Sequence, residues 1–371
     1  MERENLRGCR RIVVKVGTSS ITYPTGQINL EKMELLVREV SDLHNSGREL
    51  ILVSSGAVGA GAGKLGRMPS TLPEKQALAA VGQGLLMQMY EKFFAEYSKS
   101  VAQVLLTRDC FSEPGRYLNS RNTIFALLDY GVIPIVNEND TVAVHELKFG
   151  DNDRLSAMVA CNAGADLLMI LSDIDGLYDA DPRRNPGARL IPKVSVVTEA
   201  MEANSTTRGS SMSSGGMATK LAAARITMAN GIPMVIASSD ERNVIRRIAG
   251  GEEVGTFFIP SREGYAARRQ WLAVGSAPKG VLRVDEGAER ALVHQGKSLL
   301  PSGVRDIEGN FRPGDVVSIR NGANQEVARG ISNYASGDAR RILGRRSGEI
   351  ASILGVCDYE ELVHRNNMAL V

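Results

Sequence analysis

The stretch with the most chemical promise is Ser213-Ser214-Gly215-Gly216-Met217-Ala218-Thr219-Lys220. Paired serines and glycines run straight into an alanine-rich segment whose spacing predicts a helix over 217–230, with a lysine in its first turn. The N–H groups at a helix start have no intrahelical partners, and the macrodipole reinforces their attraction for anions. Glycine lets a backbone approach a ligand closely, and Lys220 adds a full charge. The combination suits a polyphosphate. Taken alone, a Ser/Gly-rich loop with an ordinary serine cap explains the same residues equally well.

Three other regions bear on the same choice. Lys15 stands in Val13-Val14-Lys15-Val16-Gly17-Thr18-Ser19, near the end of an apolar run. A lysine there either meets phosphate oxygens or snorkels from a strand end, and the glycine and two hydroxyls that follow favour phosphate. Ser54-Ser55-Gly56-Ala57-Val58-Gly59-Ala60-Gly61 follows the next apolar run. Its small residues allow a ligand to lie against the backbone, or simply make a tight strand-to-helix turn. Asn137-Glu138-Asn139-Asp140 and Gly150-Asp151-Asn152-Asp153 bring carboxylates and amides together. Such clusters suit an ammonium group, a magnesium ion or both, while Asp151 or Asp153 would also cap a helix. Ser172-Asp173 opens a further segment after a strand, where a nucleotide could be bounded; Asp175-Gly176 by itself says only turn.

Some chemistry is absent. No G-x-x-x-x-G-K-[ST] loop occurs, and neither does the protein-kinase motif set. No histidine sits in a motif that would make it a general base. Phosphoryl transfer to a carboxylate needs none, because the acceptor is already ionised at neutral pH. Positioning and charge neutralisation would suffice.

The elements that must hold these residues alternate. Apolar runs at 11–16, 49–53, 101–107, 132–136, 166–171 and 233–237 read as strands. Helical stretches fall at 31–45, 75–97, 121–129, 151–162 and 217–230. Apolar strands without clean alternation, separated by helices, predict an α/β fold: a mostly parallel sheet sandwiched by helices. Ligands in such folds sit beyond the carboxyl ends of the strands, where the Gly-, Ser- and Asp-rich segments lie. With 371 residues the chain is long for one core. The pattern changes after residue 262. The expected division is 1–262, a linker 263–278 that includes Arg268, Arg269 and Trp271, and a small mainly β domain 279–371 with strands near 280–284, 303–308, 315–320 and 326–331.

Net charge is +2, too small for bulk electrostatic binding to nucleic acid or membrane. No apolar run is long enough to span a bilayer, and the charged N-terminus lacks a signal-peptide core. Cys9, Cys110, Cys161 and Cys357 are too scattered for a metal site and read as buried thiols in a reducing, cytoplasmic setting.

In this order, V-V-K-V-G-T-S (13–19), S-S-G-A-V-G (54–59), N-E-N-D (137–140), G-D-N-D (150–153), D-G-L-Y (175–178) and S-G-G-M-A-T-K (214–220) resemble the amino acid kinase family, in particular its members that phosphorylate glutamate. The tail, through G-N-F-R-P-G-D-V-V (309–317) and A-S-I-L-G (351–355), resembles a PUA domain, which those members often carry. The resemblance implies transfer from ATP, with Mg2+, to the side-chain carboxylate of L-glutamate, giving L-glutamyl 5-phosphate in the first step of proline biosynthesis. It implies substrate binding by Ser55, Asp140 and Asn152. It implies ATP binding by Lys15, Ser172, Asp173, Ser214, Gly215, Gly216, Met217, Ala218, Thr219 and Lys220. Lys15, Lys220 and Asp153 are the catalytic candidates: the lysines would neutralise the moving phosphoryl group, and Asp153 would organise them or magnesium. No residue is assigned to the metal. Ser54 and Ser172 stand where members often have threonine, and both keep the hydroxyl. Proline as feedback inhibitor and a homo-oligomer are further implications.

Two alternatives stand beside this. One is another carboxylate kinase of the fold, acting on N-acetylglutamate or aspartate; the PUA-like tail and the paired Asn/Asp motifs argue against it. The other is an RNA-binding regulatory protein acting through its tail. Residues 278–371 carry thirteen Lys/Arg against twelve Asp/Glu, a balance poorly suited to binding through phosphate neutralisation.

Overall fold

The computed structural model describes residues 1–143, 151–182, 185–203, 216–261 and 277–370. The chain forms two compact units, Met1–Cys110 with Thr123–Gly264, and Phe111–Asn122 with Tyr265–Val371. Residues 263–276 of the expected linker lie outside the described residues.

The strands of the first unit are β1 (Arg11–Val16), β2 (Glu49–Ser54), β3 (Val101–Leu106), β4 (Ile133–Glu138), β5 (Leu167–Ser172), β6 (Lys193–Val194), β7 (Met234–Ser238) and β8 (Thr256–Phe258). They form one sheet in the order β3-β4-β2-β1-β5-β7-β8-β6. Every pairing is parallel except β7 with β8. Every residue of β4 and β5 is buried, which explains why their sequences run apolar without alternation until the polar ends Asn137-Glu138 and Ser172. The sheet is thus mostly parallel, as expected.

The helices up to β8 are α1 (Leu30–Asn45), α2 (Ala57–Leu65), α3 (Leu72–Ala95), α4 (Asp109–Ser112), α5 (Pro114–Asp129), α6 (Asn152–Ala163), α7 (Glu199–Ala203), α8 (Met217–Ala229) and α9 (Val244–Ala249); α4 and α5 run across the chain positions where the two units divide. Their starts are chemically marked. Asn29 Oδ1 accepts from Lys32 N at 3.1 Å, and Asp151 Oδ1 from Arg154 N at 2.9 Å. Thr71 and Glu74 form a capping box at the head of α3. Successive strand residues face opposite sides of a sheet. Val14 and Val16 of β1 therefore join the main core with Val37 of α1 and Tyr90 and Phe94 of α3. Lys15, between them, turns to the other face and meets α6.

Helix α2 is missing from the sequence expectations, because A-V-G-A-G-A-G-K-L shows almost no polar/apolar period. Close packing on α3 holds it. A Cβ on Gly61 would run into the Leu78 carbonyl, and one on Gly82 into the Ala57 carbonyl. Gly56, just before α2, has φ of +97°, which favours glycine.

The N-terminal segment is tied to distant chain. Arg3 donates from Nη1 to the Val254 carbonyl at 2.6 Å and from Nη2 to those of Pro192 (2.9 Å) and Gly255 (2.7 Å). Its guanidinium also lies over the Phe257 ring.

The second unit carries a five-stranded sheet of β9 (Gly280–Val284), β10 (Val304–Gly309), β11 (Val316–Arg320), β12 (Glu326–Ile331) and β13 (Met368–Leu370), in the order β10-β9-β11-β12-β13. Its core includes Leu282, Phe311, Val317 and Ile319. Among the described residues three helices, α10 (Glu286–Gln295), α11 (Ser336–Arg341) and α12 (Ile350–Leu354), follow β9 and accompany the four expected strands and the added β13. Among the described residues no helix is long and apolar enough to cross a membrane. None of the four cysteines forms a disulfide, and only Cys9 is fully buried. Cys110 and Cys161 are half-buried, and Cys357 is exposed because it lies in the turn just after α12. The expectation of four buried thiols is corrected accordingly.

Gly82→Ala should destabilise the protein by about 1–3 kcal/mol, because the clash is with backbone and outweighs the helix-propensity gain of about 1 kcal/mol. A thermal melt beside wild type would show the fall in Tm.

Candidate active site

Asp153 lies one residue into α6 and is 0% exposed. Its Oδ1, which has no other partner among the described residues, is 2.7 Å from Lys15 Nζ. Its Oδ2 is 3.3 Å from Lys220 Nζ and accepts from Thr219 Oγ1 at 2.6 Å. Lys15 and Lys220 are themselves buried, at 6% and 5% exposure. Strand β1 supplies one lysine, the first turn of α8 the other, and the start of α6 the carboxylate between them.

Burial alone would raise the Asp153 carboxyl. Lys15 and Lys220 beside it, with hydrogen bonds from Lys15 and Thr219, outweigh burial and hold it well below the usual carboxylate range. Burial pulls the Lys220 ammonium below its ordinary value, against the opposing attraction of Asp153. Lys220 also feels the charge of Asp173, which follows the end of β5. Burial is likewise the main cause that raises Asp151, the cap of α6.

Next to Asp153, Asn152 faces a different set of partners. Its Nδ2 lies 3.0 Å from the Ser54 carbonyl, 3.0 Å from Ser55 Oγ and 2.9 Å from Asn137 Oδ1. Ser55 follows β2, and Asn137 is the next-to-last residue of β4. Asp140 lies two residues beyond β4, half-buried. Ser172 closes β5, and its hydroxyl donates to Asp173 Oδ1 at 3.0 Å. Gly216 precedes α8, whose first turn receives no side-chain cap. Ser214 and Gly215, named with Gly216 as anion binders, lie outside the described residues, as does Gly150.

The structure therefore brings Lys15, Asp153, Thr219 and Lys220 into one group, and Ser55 and Asn152 into another beside it. Thr219, expected only on the ATP side, also anchors Asp153. The N-E-N-D motif gives Asn137 no role of its own; the fold buries its amide at the end of β4 against Asn152. Among the described residues no group of three or more His, Cys, Asp or Glu could hold a metal ion. Asp153, the one carboxylate expected to serve lysines or magnesium, has both oxygens engaged by ammonium groups.

Residues 10–238 match the amino acid kinase family and residues 280–354 match the PUA domain. The chain belongs to the amino acid kinase family. Relatives matching along its full length carry a more specific name. The glutamate 5-kinase of Carboxydothermus hydrogenoformans is 54% identical, with 100% of both chains covered. That of Moorella thermoacetica is 53% identical over 99% of this chain and 97% of its own. Among solved structures, the carbamate kinase of Giardia lamblia bound to AMP-PNP has a TM-score of 0.50 at 19% identity, covering 69% of this chain and 100% of its own. The UMP kinase of Bacillus anthracis has a TM-score of 0.50 at 19% identity, covering 68% and 97%. These two are alike in fold.

Asp153→Asn should cost about 3–5 kcal/mol, because it strands two buried ammonium groups. The wild-type carboxylate has a lowered native pKa, so its stabilisation is complete above about pH 4 and is lost as pH falls toward the native value. Denaturant unfolding across pH should show that acid slope in wild type and a shallower one in Asp153→Asn.

Proposed function

We propose that this chain transfers the γ-phosphoryl group of ATP to the side-chain carboxylate of L-glutamate, giving L-glutamyl 5-phosphate and ADP, the first step of proline biosynthesis. The observation that carries the chemistry is the Asp153 carboxylate held between Lys15 and Lys220. Two buried ammonium groups on one carboxylate leave a net positive charge, which suits a phosphoryl group in transit. The uncapped start of α8 adds N–H donors of the same polarity. The acceptor carboxylate arrives ionised, so no base is required.

Lys15, Ser172, Asp173, residues 214–219 and Lys220 form the ATP side of this proposal, and Ser55, Asp140 and Asn152 the glutamate side. Asp153 positions the lysines. Magnesium would arrive on the ATP phosphates, since the described residues build no cage for it. A cytoplasmic setting, a homo-oligomer and feedback inhibition by proline accompany the proposal.

Trapping with hydroxylamine in the presence of ATP, magnesium and a panel of L-glutamate, N-acetyl-L-glutamate and L-aspartate tests it. Hydroxamate should form with L-glutamate alone; formation with another acid would retain the chemistry and change the substrate. Lys220→Ala should lower kcat roughly 100-fold to 1,000-fold while the fold survives. Asp140→Ala should act on the other side of the reaction, raising the KM for glutamate roughly tenfold at similar kcat.

A further inference from the structure

Helix α3 reaches the glutamate side through two polar side chains seven residues apart, on one face of a largely apolar helix. Tyr90 is fully buried, and its hydroxyl lies 2.8 Å from Ser54 Oγ. Gln83 Oε1 accepts from Asn137 Nδ2 at 2.8 Å. Neither residue is among the site residues named so far.

The amide directions follow from two backbone groups. The Glu138 N–H, which can only donate, lies 2.8 Å from the Asn137 side-chain oxygen. That atom must therefore be Oδ1, and Asn137 must turn its Nδ2 toward Gln83. Gln83 must answer with its own oxygen. At the other end, the Ser54 carbonyl can only accept, so the atom of Asn152 facing it must be Nδ2. The same Nδ2 faces Asn137 Oδ1. Its two hydrogens are satisfied by these two obligate acceptors. Ser55 Oγ, also near Nδ2, keeps its own hydrogen for another acceptor. Asn152 Oδ1 is left facing away from all three.

We infer that Gln83 is a positioning residue for the substrate. Its oxygen secures the Asn137 orientation that the Glu138 N–H sets, the one that draws in the Asn152 nitrogen and leaves Asn152 Oδ1, with the Ser55 hydroxyl, for the incoming molecule. An outward oxygen accepts hydrogen bonds, and the α-ammonium of a free amino acid donates three. The hydroxyl beside it donates to a carboxylate. The pair thus favours a substrate with an unmodified amino group over an N-acylated one. Glycine at 82 makes the arrangement possible, because it lets α3 approach α2 closely enough for the next residue to reach β4. The inference rests on the proposal that Asn152 binds glutamate.

The test is steady-state kinetics of the full chain carrying Gln83→Met or Gln83→Glu, read by hydroxamate formation, with a melt of each. Methionine keeps the length and removes the acceptor; glutamate keeps an acceptor. Gln83→Met should raise the KM for L-glutamate about fivefold to tenfold, with kcat and the KM for ATP within about twofold of wild type. Gln83→Glu should restore the KM for L-glutamate to within about twofold. An unmoved KM in Gln83→Met, or equal impairment of both variants, would overturn the inference. A parallel fall in kcat and Tm, with no selective rise in the KM for glutamate, would assign Gln83 to packing and overturn it too. If wild type traps no hydroxamate from L-glutamate, the substrate proposal falls and takes this inference with it.

Discussion

Three charges lie where water barely reaches: the carboxylate of Asp153 and the ammonium groups of Lys15 and Lys220. Removing ions from water costs several kcal/mol each unless they are closely paired. Their pairing requires β1, α6 and α8 to stand in fixed relation, and the sheet that sets this relation has β1 near its centre. Asp153 does more than offset the cost. It holds both lysines in place from two sides, so their positive field is built into the fold. The polar contacts of the site and the packing beneath it answer to that requirement.

The sheet order also explains how two groups of polar side chains come to lie side by side. Moving from β4 through β2 and β1 to β5, the strand ends carry Asn137, then Ser55, then Lys15 with Gly17, then Ser172. The first two belong with amides and hydroxyls, the last two with charge. The start of α6 spans the division. Asn152 turns toward β2 and β4 while Asp153 turns toward β1 and α8. Adjacent helix residues point about 100° apart, so one turn of helix serves both sides.

Much of this was legible in the residues themselves. Buried parallel strands run mostly apolar, so β1, β2, β4, β5 and β7 announce themselves, and a lysine within one of them stands out. Asp151 marks the start of α6 by its capping chemistry. What escaped had no local signal. Helix α2 is built from Ala and Gly because it packs backbone to backbone, and that removes the period by which helices are recognised. Strands β6, β8 and β13 have two or three residues each and depend on neighbours distant in sequence. Gln83 is an ordinary glutamine in a helix until the fold places an asparagine opposite it. The same holds for Thr219, whose bond to Asp153 spans 66 positions.

Arg3 makes the first unit a closed circuit in time as well as in space. Its guanidinium waits for the carbonyls of Val254 and Gly255, which are synthesised some 250 residues later. Strand β1 likewise waits for β5, and Lys15 for Asp153. During translation the oldest part of the chain therefore emerges with its central strand unpaired on one side and its apolar surface exposed. Contacts this far apart fold slowly and leave the nascent chain open to misassociation. The first half of this unit therefore stays an open edge until its partners in the second half arrive to close it.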